Sequence, residues 1–293
     1  MTDRKPRYPI YVPSKGRWET PLTAKFLHAD GVDFKLVVEP SQADLYREHV
    51  PFAELLILPE DNMGAIGSRK WSMEHSIKNG HARHWSIDDN IKKTLKLHKG
   101  KRIPCNANIA LAAVEEFTDR YTNIGVSGLN YDTFVTDRPP APFNLNGKVY
   151  SASLVNNQTP HGWRLSHNED TDLCLQMLAN GYTTVCFNVY MIQKVRTMTI
   201  KGGNTDDLYR GDGRLKMARM LERQWPHVVT TDRRYDRPQH VVSHNWRRFD
   251  TPLIRRDDID WDAIEQRKPK VRLTQVADEI KSERLRNMLE DQK

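Results

Sequence analysis

Two adjacent aspartates, Asp88 and Asp89, mark the stretch of this sequence with the clearest chemical potential. They directly follow the short strand-like run 84–87, and Asn90 comes next. Two like charges side by side repel each other unless a positive group lies between them. A divalent cation with oxygen ligands is the usual solution, and such a cation commonly holds a diphosphate. An isolated Asp-Asp pair is explained better as a surface turn or a helix cap, which is common in soluble proteins. The surrounding sequence must therefore decide.

A second acidic cluster occupies residues 169–172, where Glu169, Asp170 and Asp172 fill three of four positions. It stands immediately before an apolar helix predicted over 173–178. One or two of these carboxylates are explained as helix caps that favour the helix dipole. Three crowded carboxylates indicate that one has a raised pKa and can act as a base.

Two glycine-containing segments precede these acids in the chain. Residues 14–17, Ser-Lys-Gly-Arg, follow a predicted first strand, and ligands of open α/β sheets bind beyond the carboxyl ends of the strands. A small residue, a glycine and two cations suit a nucleotide with its phosphates. Residues 64–69 open a helix, where backbone amides and Arg69 can approach an anion. Neither segment is a Walker loop or a dinucleotide fingerprint.

Alternating strand and helix patterns position these segments. Strands are predicted over 8–13, 34–38, 55–59, 84–87, 124–129, 149–155 and 182–189. Helices are predicted over 21–29, 41–49, 69–79, 105–117, 173–178 and 214–223. Residues 92–101 are predicted to form a hairpin or an exposed ribbon, and 137–143 a loop. The alternation predicts a mainly parallel sheet with helices on both faces.

The composition favours a polyanionic partner. The 293-residue chain has a net charge of +7. This charge favours nucleic acid, although sugar nucleotides and phosphates also attract lysine and arginine. Segments 210–256 and 267–287 are rich in arginine, and the second is interpreted as a solvated helical surface. Within the first, residues 210–248 are the predicted DNA surface, because a basic segment with aromatic residues can stack on bases. The aromatic residues interleaved in segment 210–256 are Trp225, Tyr235, Trp246 and Phe249.

The sequence predicts a cytoplasmic protein. No apolar stretch approaches the length of a membrane span, so no membrane partner is expected. The charged residues 1–7 lead into a strand-like run with prolines, unlike a secretory signal. Cys105, Cys174 and Cys186 lack close pairing or metal-binding spacing, which predicts reduced thiols.

The order of these motifs resembles that of glycosyltransferases with the GT-A fold. The motifs are Val-Pro-Ser-Lys-Gly-Arg over 12–17, Gly-x-x-Gly-Ser-Arg over 64–69, the strand ending in Asp-Asp-Asn at 88–90, Asn-Glu-Asp-Thr-Asp-Leu over 168–173, and Gly-Tyr at 181–182. The opening Tyr-Val-Pro-Ser-Lys-Gly-Arg is particularly similar to the phage-associated TET/JBP-associated glycosyltransferase family. Members of that family are predicted partners of enzymes that make hydroxymethylated pyrimidines in DNA. The resemblance covers residues 8–204, and it implies the host cytoplasm as location if the protein is phage-encoded.

The resemblance implies an α/β fold of the GT-A-like (Rossmann-like) kind. Its mostly parallel sheet is flanked by helices, and a basic C-terminal extension follows. We expect a glycosyltransferase core over residues 1–204. Residues 205–293 are expected to be a basic helical extension, either part of the same domain or packed on it.

The resemblance also implies the residues that hold the donor and its metal. The nucleotide-binding residues are Pro13, Ser14, Lys15, Gly16, Arg17, Arg69, Asp88, Lys201 and Gly202. Mn²⁺ or Mg²⁺ is implied as cofactor, with Asp89 the likelier ligand and Asp88 nearer the ribose or sugar. Family members often supply a histidine ligand after the closing strand, where this chain has Lys201. Either His244 or His240 then completes the metal site, or Lys201 takes part of the cation's role.

The predicted activity is transfer of a sugar from a nucleoside-diphosphate sugar, UDP-linked, to DNA. The acceptor is the hydroxymethyl group of 5-hydroxymethylcytosine or 5-hydroxymethyluracil, deprotonated by Glu169 or Asp170, and Asp88 also belongs to the catalytic set. One alternative is a transferase or nucleotidyltransferase of the same fold that acts on a small molecule, glycan or protein. The other is a non-catalytic nucleic-acid-binding protein whose acids only cap helices. The oligomeric state is not predicted.

Overall fold

The computed structural model describes residues 4–136, 140–195, 213–234 and 237–266. Its strands are β1 Ile10–Pro13, β2 Lys35–Val38, β3 Glu54–Ile57, β4 Arg83–Ile87, β5 Ile91–His98, β6 Lys101–Cys105, β7 Ile124–Tyr131, β8 Phe143–Leu145, β9 Ala152–Asn156, β10 Thr183–Lys194, β11 Val229–Arg234 and β12 Arg237–Val242. Its α-helices are α1 Leu22–Ala29, α2 Ala43–His49, α3 Gly64–Lys78, α4 Ala107–Thr118, α5 Glu169–Ala179, α6 Gly213–Gln224 and α7 Trp261–Gln266. Short 3-10 helices cover Pro40–Gln42, Asp132–Phe134 and His244–Phe249.

One large sheet organises the chain. Its strand order is β3-β2-β1-β4-β9-β7-β10-β5-β6, and β8 also pairs with β10. Strands β1 to β4 run parallel to one another, and β7 is parallel to β10. Strand β9 lies antiparallel between β4 and β7, so both groups of parallel strands point the same way. The carboxyl ends of β1, β4, β7 and β10 therefore meet at one edge of the sheet.

Helices cover both faces of this sheet. Successive residues of a strand point to opposite faces, and β9 shows the division. Leu154 packs in the cluster that contains Leu27 of α1 and Val114 of α4. Val155 packs in a second cluster, which includes residues of α3 and α5. The predicted α/β architecture, a mostly parallel sheet flanked by helices, is confirmed.

The turn after β4 is fixed by the first turn of α1. All five residues of β4 are buried. Continuing the strand would bury the charges of Asp88 and Asp89 among apolar groups, which is costly, so the chain turns at these residues. Thr23 of α1 is fully buried and donates its hydroxyl to the carbonyl oxygen of Asp88 at 2.6 Å. The same hydroxyl accepts the backbone N–H of Ile91 at 2.9 Å. These contacts determine how the two aspartates leave the sheet.

The close pairing of β7 with β9 depends on Gly128. A Cβ atom at this residue would lie 2.1 Å from the carbonyl oxygen of Ala152 and 2.6 Å from a methyl group of Val149. Any side chain there would push β9 away from β7. Ser151 directly precedes β9 and lies at the sheet edge where the carboxyl ends of β4 and β7 meet. Gly128 therefore also positions this serine.

The sheet is larger than the sequence predicts. Residues 92–101, predicted as a hairpin or ribbon, lie within the hairpin of β5 and β6 and widen the sheet. Strand β8 begins at Phe143, the last residue of a predicted loop, because that ring packs in the core beside Phe187. Strand β10 continues to Lys194, beyond its predicted end at 189, because its last residues pair with β5 and β7.

The predicted C-terminal extension is not helical throughout. Its described residues form α6, the hairpin β11–β12, a 3-10 helix and α7. Leu221 of α6 and Val229 of β11 share a buried cluster with Leu175 of α5. This part therefore packs directly on α5, and the boundary at residue 204 remains a prediction. Lys201 and Gly202 lie outside the described residues.

Two further features concern the cysteines and the helices. All three cysteines are free, and Cys174 and Cys186 are buried. In the part of the chain that the structure describes, no helix has both the length and the apolar character required to cross a membrane.

Gly128→Ala is expected to lower the free energy of unfolding by about 1–3 kcal/mol, because the added methyl group meets backbone that cannot move aside. Urea denaturation measures this change. Gly147→Ala is the control, since a Cβ atom there would have its nearest contacts at 3.9 Å. Equal stability of the two variants would show that β7 and β9 can separate without cost.

Candidate active site

A cavity of about 320 Å³ opens at the carboxyl edge of the sheet. The β1 loop, the start of α3, the turn after β4, the start of α5 and the end of β10 contribute to its wall. The predicted site residues that line it are Pro13, Ser14, Lys15, Arg17, Arg69, Asp88, Asp89, Glu169 and Asp170. Segments far apart in sequence are therefore assembled around one space. The chemical roles of these residues remain predictions.

The loop after β1 holds the second aspartate. Ser14 donates its hydroxyl to Oδ2 of Asp89 at 2.8 Å, and the Arg17 guanidinium forms a buried ion pair with Oδ1. Gly16 has a φ of 65°, a conformation that glycine adopts without strain. Its backbone N–H donates to Oε1 of Gln42 at 2.8 Å. The loop is thus shaped by contacts on both sides.

Burial acts against the charge of Asp89. Burial raises the pKa of this carboxyl above its ordinary value, and the nearby Arg17 and Ser14 only partly compensate.

At the rim of the cavity, Lys15 is ion-paired with Glu39 at 2.9 Å and donates to Oδ1 of Asn62 at 3.0 Å. Lys15 therefore keeps its ammonium group at the mouth of the cavity.

The first aspartate is held by a different set of groups. Oδ1 of Asp88 accepts from Nη2 of Arg69 at 2.6 Å, and Oδ2 accepts from Nζ of Lys194 at 2.6 Å and from the Ser151 hydroxyl. Burial favours the neutral acid, but Lys194 and Arg69 outweigh it and hold the pKa of Asp88 well below its ordinary value. This carboxylate stays ionised over the whole physiological pH range.

Arg69 also connects the twin aspartates to the acidic cluster. Its Nε lies 3.4 Å from Oε1 of Glu169, and its Nη1 donates to the Ser86 hydroxyl at 2.6 Å. The guanidinium carbon lies 4.9 Å from the centre of the Trp163 ring. Because a guanidinium group is planar and has five donors, it can satisfy both acids at once. The acidic and basic parts of the cavity are thus joined through one side chain.

Glu169 and Asp170 have raised pKa values. Burial raises the pKa of Glu169 to about 7; Arg69 lowers it and the neighbouring Asp170 raises it further. Burial likewise raises the pKa of Asp170, against the stabilising backbone N–H of Thr171 at 2.6 Å. A carboxyl with a pKa near neutrality is suited to accept a proton during a reaction.

Asp172, the third acid of the cluster, has a structural role. It is fully buried and forms a two-point contact with Arg164, with both nitrogen–oxygen distances 2.8 Å. Its other partners are Gln176 at 2.8 Å and the indole N–H of Trp225 at 2.7 Å. With four donors on its two oxygens, this carboxylate holds the start of α5 in place.

The start of α5 has an uncommon backbone conformation. Asn168 has a φ of 55°, in the left-handed region, and its side chain donates to the carbonyl oxygen of Met217 at 3.1 Å. Such conformations cost energy and persist only where surrounding structure holds them. Here α6 supplies the restraint, so Glu169 and Asp170 are presented to the cavity by contacts from the C-terminal part of the chain.

An aromatic cluster borders the acidic side of the cavity. Tyr131 and Tyr150 line the cavity and stack with their ring centres 5.3 Å apart and planes at 17°. Phe134 meets both rings edge-on, at 5.1 and 5.7 Å, and is 55% exposed. Lys148 lies 5.7 Å from the Tyr150 ring centre. A planar ligand entering beside Asp170 would meet aromatic faces and edges here.

The described residues do not fit the predicted Mn²⁺ or Mg²⁺. Among them, no group of three or more His, Cys, Asp or Glu side chains could hold a metal ion. His244 is exposed at the start of a 3-10 helix, and neither it nor His240 lines the cavity. Burial and nearby Lys148 lower the pKa of His240 to about 4. Protein cations surround the aspartates instead.

Several cavity residues are not predicted from the sequence. The predicted closing strand ends at 189 and therefore leaves out Lys194, although the apolar pair Met191-Ile192 signals that the strand continues. Ser151, Tyr131 and Tyr150 have no local signal, because serines and tyrosines are common in strands and loops. Their functional importance arises only from what lies opposite them.

The aromatic residues of segment 210–256 mostly stabilise the fold. Trp225, Trp246 and Phe249 are partly buried and pack against the cluster of Leu175 and Leu221, which limits the ring surface open to a base. Base stacking on these rings stays a prediction. Tyr235 and residues 267–287 lie outside the described residues.

Comparisons with known proteins give a family match and several remote structural similarities, three of which follow. A family model described as TET-associated glycosyltransferase matches residues 8–203. No curated protein matches the chain. A structure from Desulfovibrio desulfuricans G20, described as a nucleotide-diphospho-sugar transferase, has 10% identity, a TM-score of 0.38 and coverage of 75% of this chain and 98% of its own.

The other two similarities are weaker. A mannose-1-phosphate geranyltransferase from Thermus thermophilus has 15% identity and a TM-score of 0.30, covering 75% of this chain and 64% of its own. A mannose-6-phosphate isomerase from Helicobacter pylori has 8% identity and a TM-score of 0.29, covering 86% of this chain and 94% of its own. None of the three structures is similar enough to indicate an activity.

Glu169→Gln is expected to become more stabilising, relative to the wild type, as pH rises from 4.5 to 8. The pKa of Glu169 rises from its ordinary value of 4.5 to about 7 on folding. In that window the unfolded chain has released a proton that the folded protein keeps, so wild-type stability falls as pH rises. Glutamine removes this loss, which is worth about 1–3 kcal/mol.

Denaturant unfolding at pH 4.5 and 8 measures the difference between the variant and the wild type. Glu74→Gln, on the exposed face of α3, is the control for a surface glutamate. A difference that stays constant or shrinks with rising pH would refute the assignment of the raised pKa to Glu169.

Proposed function

Because the chain belongs to the TET-associated glycosyltransferase family, we propose that it transfers a sugar from a UDP-linked donor to 5-hydroxymethylcytosine or 5-hydroxymethyluracil in phage DNA. The family match makes the chain a glycosyltransferase. The nucleotide-sugar donor, its nucleotide and the acceptor are the proposed part. The observation that carries the proposal is a cavity with a cationic half and an acidic, aromatic half, joined by Arg69.

The cationic half suits a diphosphate. Lys15, Arg17 and Lys194 line it together with Gly64 and Ser68 in the first turns of α3. The positive end of a helix and its unpaired N–H groups favour an anion. A sugar diphosphate gains negative charge on its oxygen when the bond to the sugar breaks, and fixed positive groups stabilise that charge.

The acidic half suits the acceptor. Asp170 lines the cavity together with Tyr131 and Tyr150, and the positive charge of Lys148 acts to lower its pKa. A base that has left the DNA stack is a planar ring that aromatic side chains can hold. The exposed Phe134 beside the stacked tyrosines supports an acceptor of this shape over a flexible aliphatic one.

The proposed reaction follows from these two halves. The hydroxymethyl oxygen attacks the anomeric carbon, and its proton passes to Asp170 or Glu169. The bond between the anomeric carbon and the diphosphate oxygen breaks, and its electron pair stays with the diphosphate. Asp88, held by Arg69 and Lys194, orients these cations next to the donor. The described residues do not fit the predicted Mn²⁺ or Mg²⁺, so no step passes through a metal.

Helix α6 supports DNA as the larger acceptor. Ala218 and Leu221 are buried, whereas Lys216, Arg219 and Arg223 are exposed. Met217 of the same helix lines the cavity. A basic stripe beside the cavity mouth would follow a phosphate backbone and bring the modified base to the acidic half. Arg247 and Arg248 on the neighbouring 3-10 helix are also exposed.

Incubation with hydroxymethylated DNA and a panel of nucleotide sugars should produce a glycosylated nucleoside, detected by mass spectrometry after digestion. Asp170→Asn should reduce the rate roughly 100-fold if Asp170 is the base. Glu169→Gln tests the other candidate. Asp33→Asn, at a side chain 94% exposed, is the control.

Unmodified DNA, free hydroxymethylated nucleosides and glycans serve as alternative acceptors. Product on a small acceptor but not on DNA would support the small-molecule alternative. Absence of product with every donor and acceptor, together with salt-dependent DNA binding, would support a non-catalytic nucleic-acid-binding protein.

Replacing Lys216 and Arg219 together by serine should weaken DNA binding and flatten its dependence on salt, because fewer phosphate contacts release fewer counterions. The slope of log affinity against log salt should change by about 1–2. Fluorescence anisotropy with a hydroxymethylated duplex measures both quantities. The control replaces two exposed lysines of α1 and α3, Lys25 and Lys78, by serine. Equal slopes for the two double variants would place the DNA surface elsewhere.

A further inference from the structure

Lys194, the last residue of β10, places its ammonium group directly against the first aspartate. Its Nζ donates to Oδ2 of Asp88 at 2.6 Å and to the Ser151 hydroxyl at 2.7 Å. Its side chain is only 20% exposed, yet it lines the cavity. A largely buried ammonium group requires a compensating charge, which Asp88 provides. The contact is therefore a built part of the site.

Both aspartates already accept hydrogen bonds from cationic groups of the protein. Asp88 accepts from Arg69, Lys194 and Ser151, and Asp89 accepts from Arg17 and Ser14. A divalent ion bound to either carboxylate would lie within a few Å of an ammonium or guanidinium group. Like charges at such distances repel strongly where water is scarce. Cationic side chains of the protein thus already neutralise this pair of aspartates.

Of these cations, Lys194 is the one best able to turn towards a ligand. Arg69 is committed to Asp88, Glu169 and Ser86. The ammonium group of a lysine has three donors, and the described residues engage two of those on Lys194. A lysine also rotates about its stem more freely than an arginine fork.

Resting on the proposed function, we propose that Lys194 is a catalytic residue that neutralises the leaving diphosphate in place of a divalent metal. As the bond between the anomeric carbon and the diphosphate oxygen breaks, the electron pair moves to that oxygen. Lys194 donates a hydrogen bond to the diphosphate and keeps its proton. The acceptor proton goes to the carboxylate of Asp170 or Glu169. Sugar transfer by this chain then requires no metal ion.

The experiment uses the full chain after dialysis against EDTA. Binding of UDP, ADP, GDP, CDP and TDP is measured by calorimetry, and transfer is measured with the donor and acceptor that give product. Binding and transfer by the wild type should persist in EDTA, with rates within about twofold of those in Mn²⁺. Lys194→Met should lower kcat roughly 100-fold, with a smaller change in the KM for the donor.

Two further variants separate catalysis from folding. Lys194→Arg keeps the charge and should recover part of kcat, whereas a purely structural defect would follow the thermal stability of each variant. Lys35→Ala removes another ion-paired lysine, bonded to Glu54 at the opposite edge of the sheet, and should leave kcat unchanged. A donor with a more acidic leaving group should be affected less by Lys194→Met, because it needs less charge stabilisation.

Loss of wild-type transfer in EDTA that Mn²⁺ restores would overturn the proposal and leave the proposed function intact. Wild-type kcat in Lys194→Met would overturn it as well. Failure of every nucleoside diphosphate to bind, with or without Mn²⁺, would refute the proposed function and this inference with it.

Discussion

The mutual neutralisation of buried charges at the carboxyl edge of the sheet is the constraint on which the rest of the site depends. Asp88 and Asp89 are adjacent in sequence and largely enclosed, and their charges are compatible only because Arg17, Arg69 and Lys194 reach them from three other segments. Removing one partner from such a set leaves an uncompensated buried charge, which is strongly destabilising. The cavity and the fold around it are therefore interdependent.

This dependence explains why the site is built from so many parts of the chain. Strands β1, β4 and β10 deliver their last residues to one edge because they run in the same direction. Helices α3 and α5 then point their first turns at the same space. Arg69 and Glu169 come from the two helices and meet there. The polar cavity thus forms beyond the ends of the strands, and the apolar clusters on the two faces of the sheet stay intact.

The separation of tasks among the acids follows from their surroundings. Asp88 has two cationic partners and stays ionised, whereas Glu169 and Asp170 are crowded, buried and shifted towards the neutral form. Asp172, three residues after Glu169, is saturated by Arg164 and stabilises α5. These four carboxylates thus divide into a charge anchor, Asp88, two candidate bases, Glu169 and Asp170, and a structural residue, Asp172.

The sequence by itself determined the α/β alternation, the Ser14–Arg17 loop, the paired aspartates and the acidic start of α5, because hydrophobic period, glycine placement and adjacent charges are local properties. Only the tertiary structure decided which groups compensate those charges. Lys194 lies 106 residues from its partner Asp88, and Ser151 lies 63 residues from it. Such pairings depend on strand order and direction, which local patterns do not encode. For the same reason Trp225, which suggested base stacking in the sequence, proved to be a packed ring bonded to Asp172.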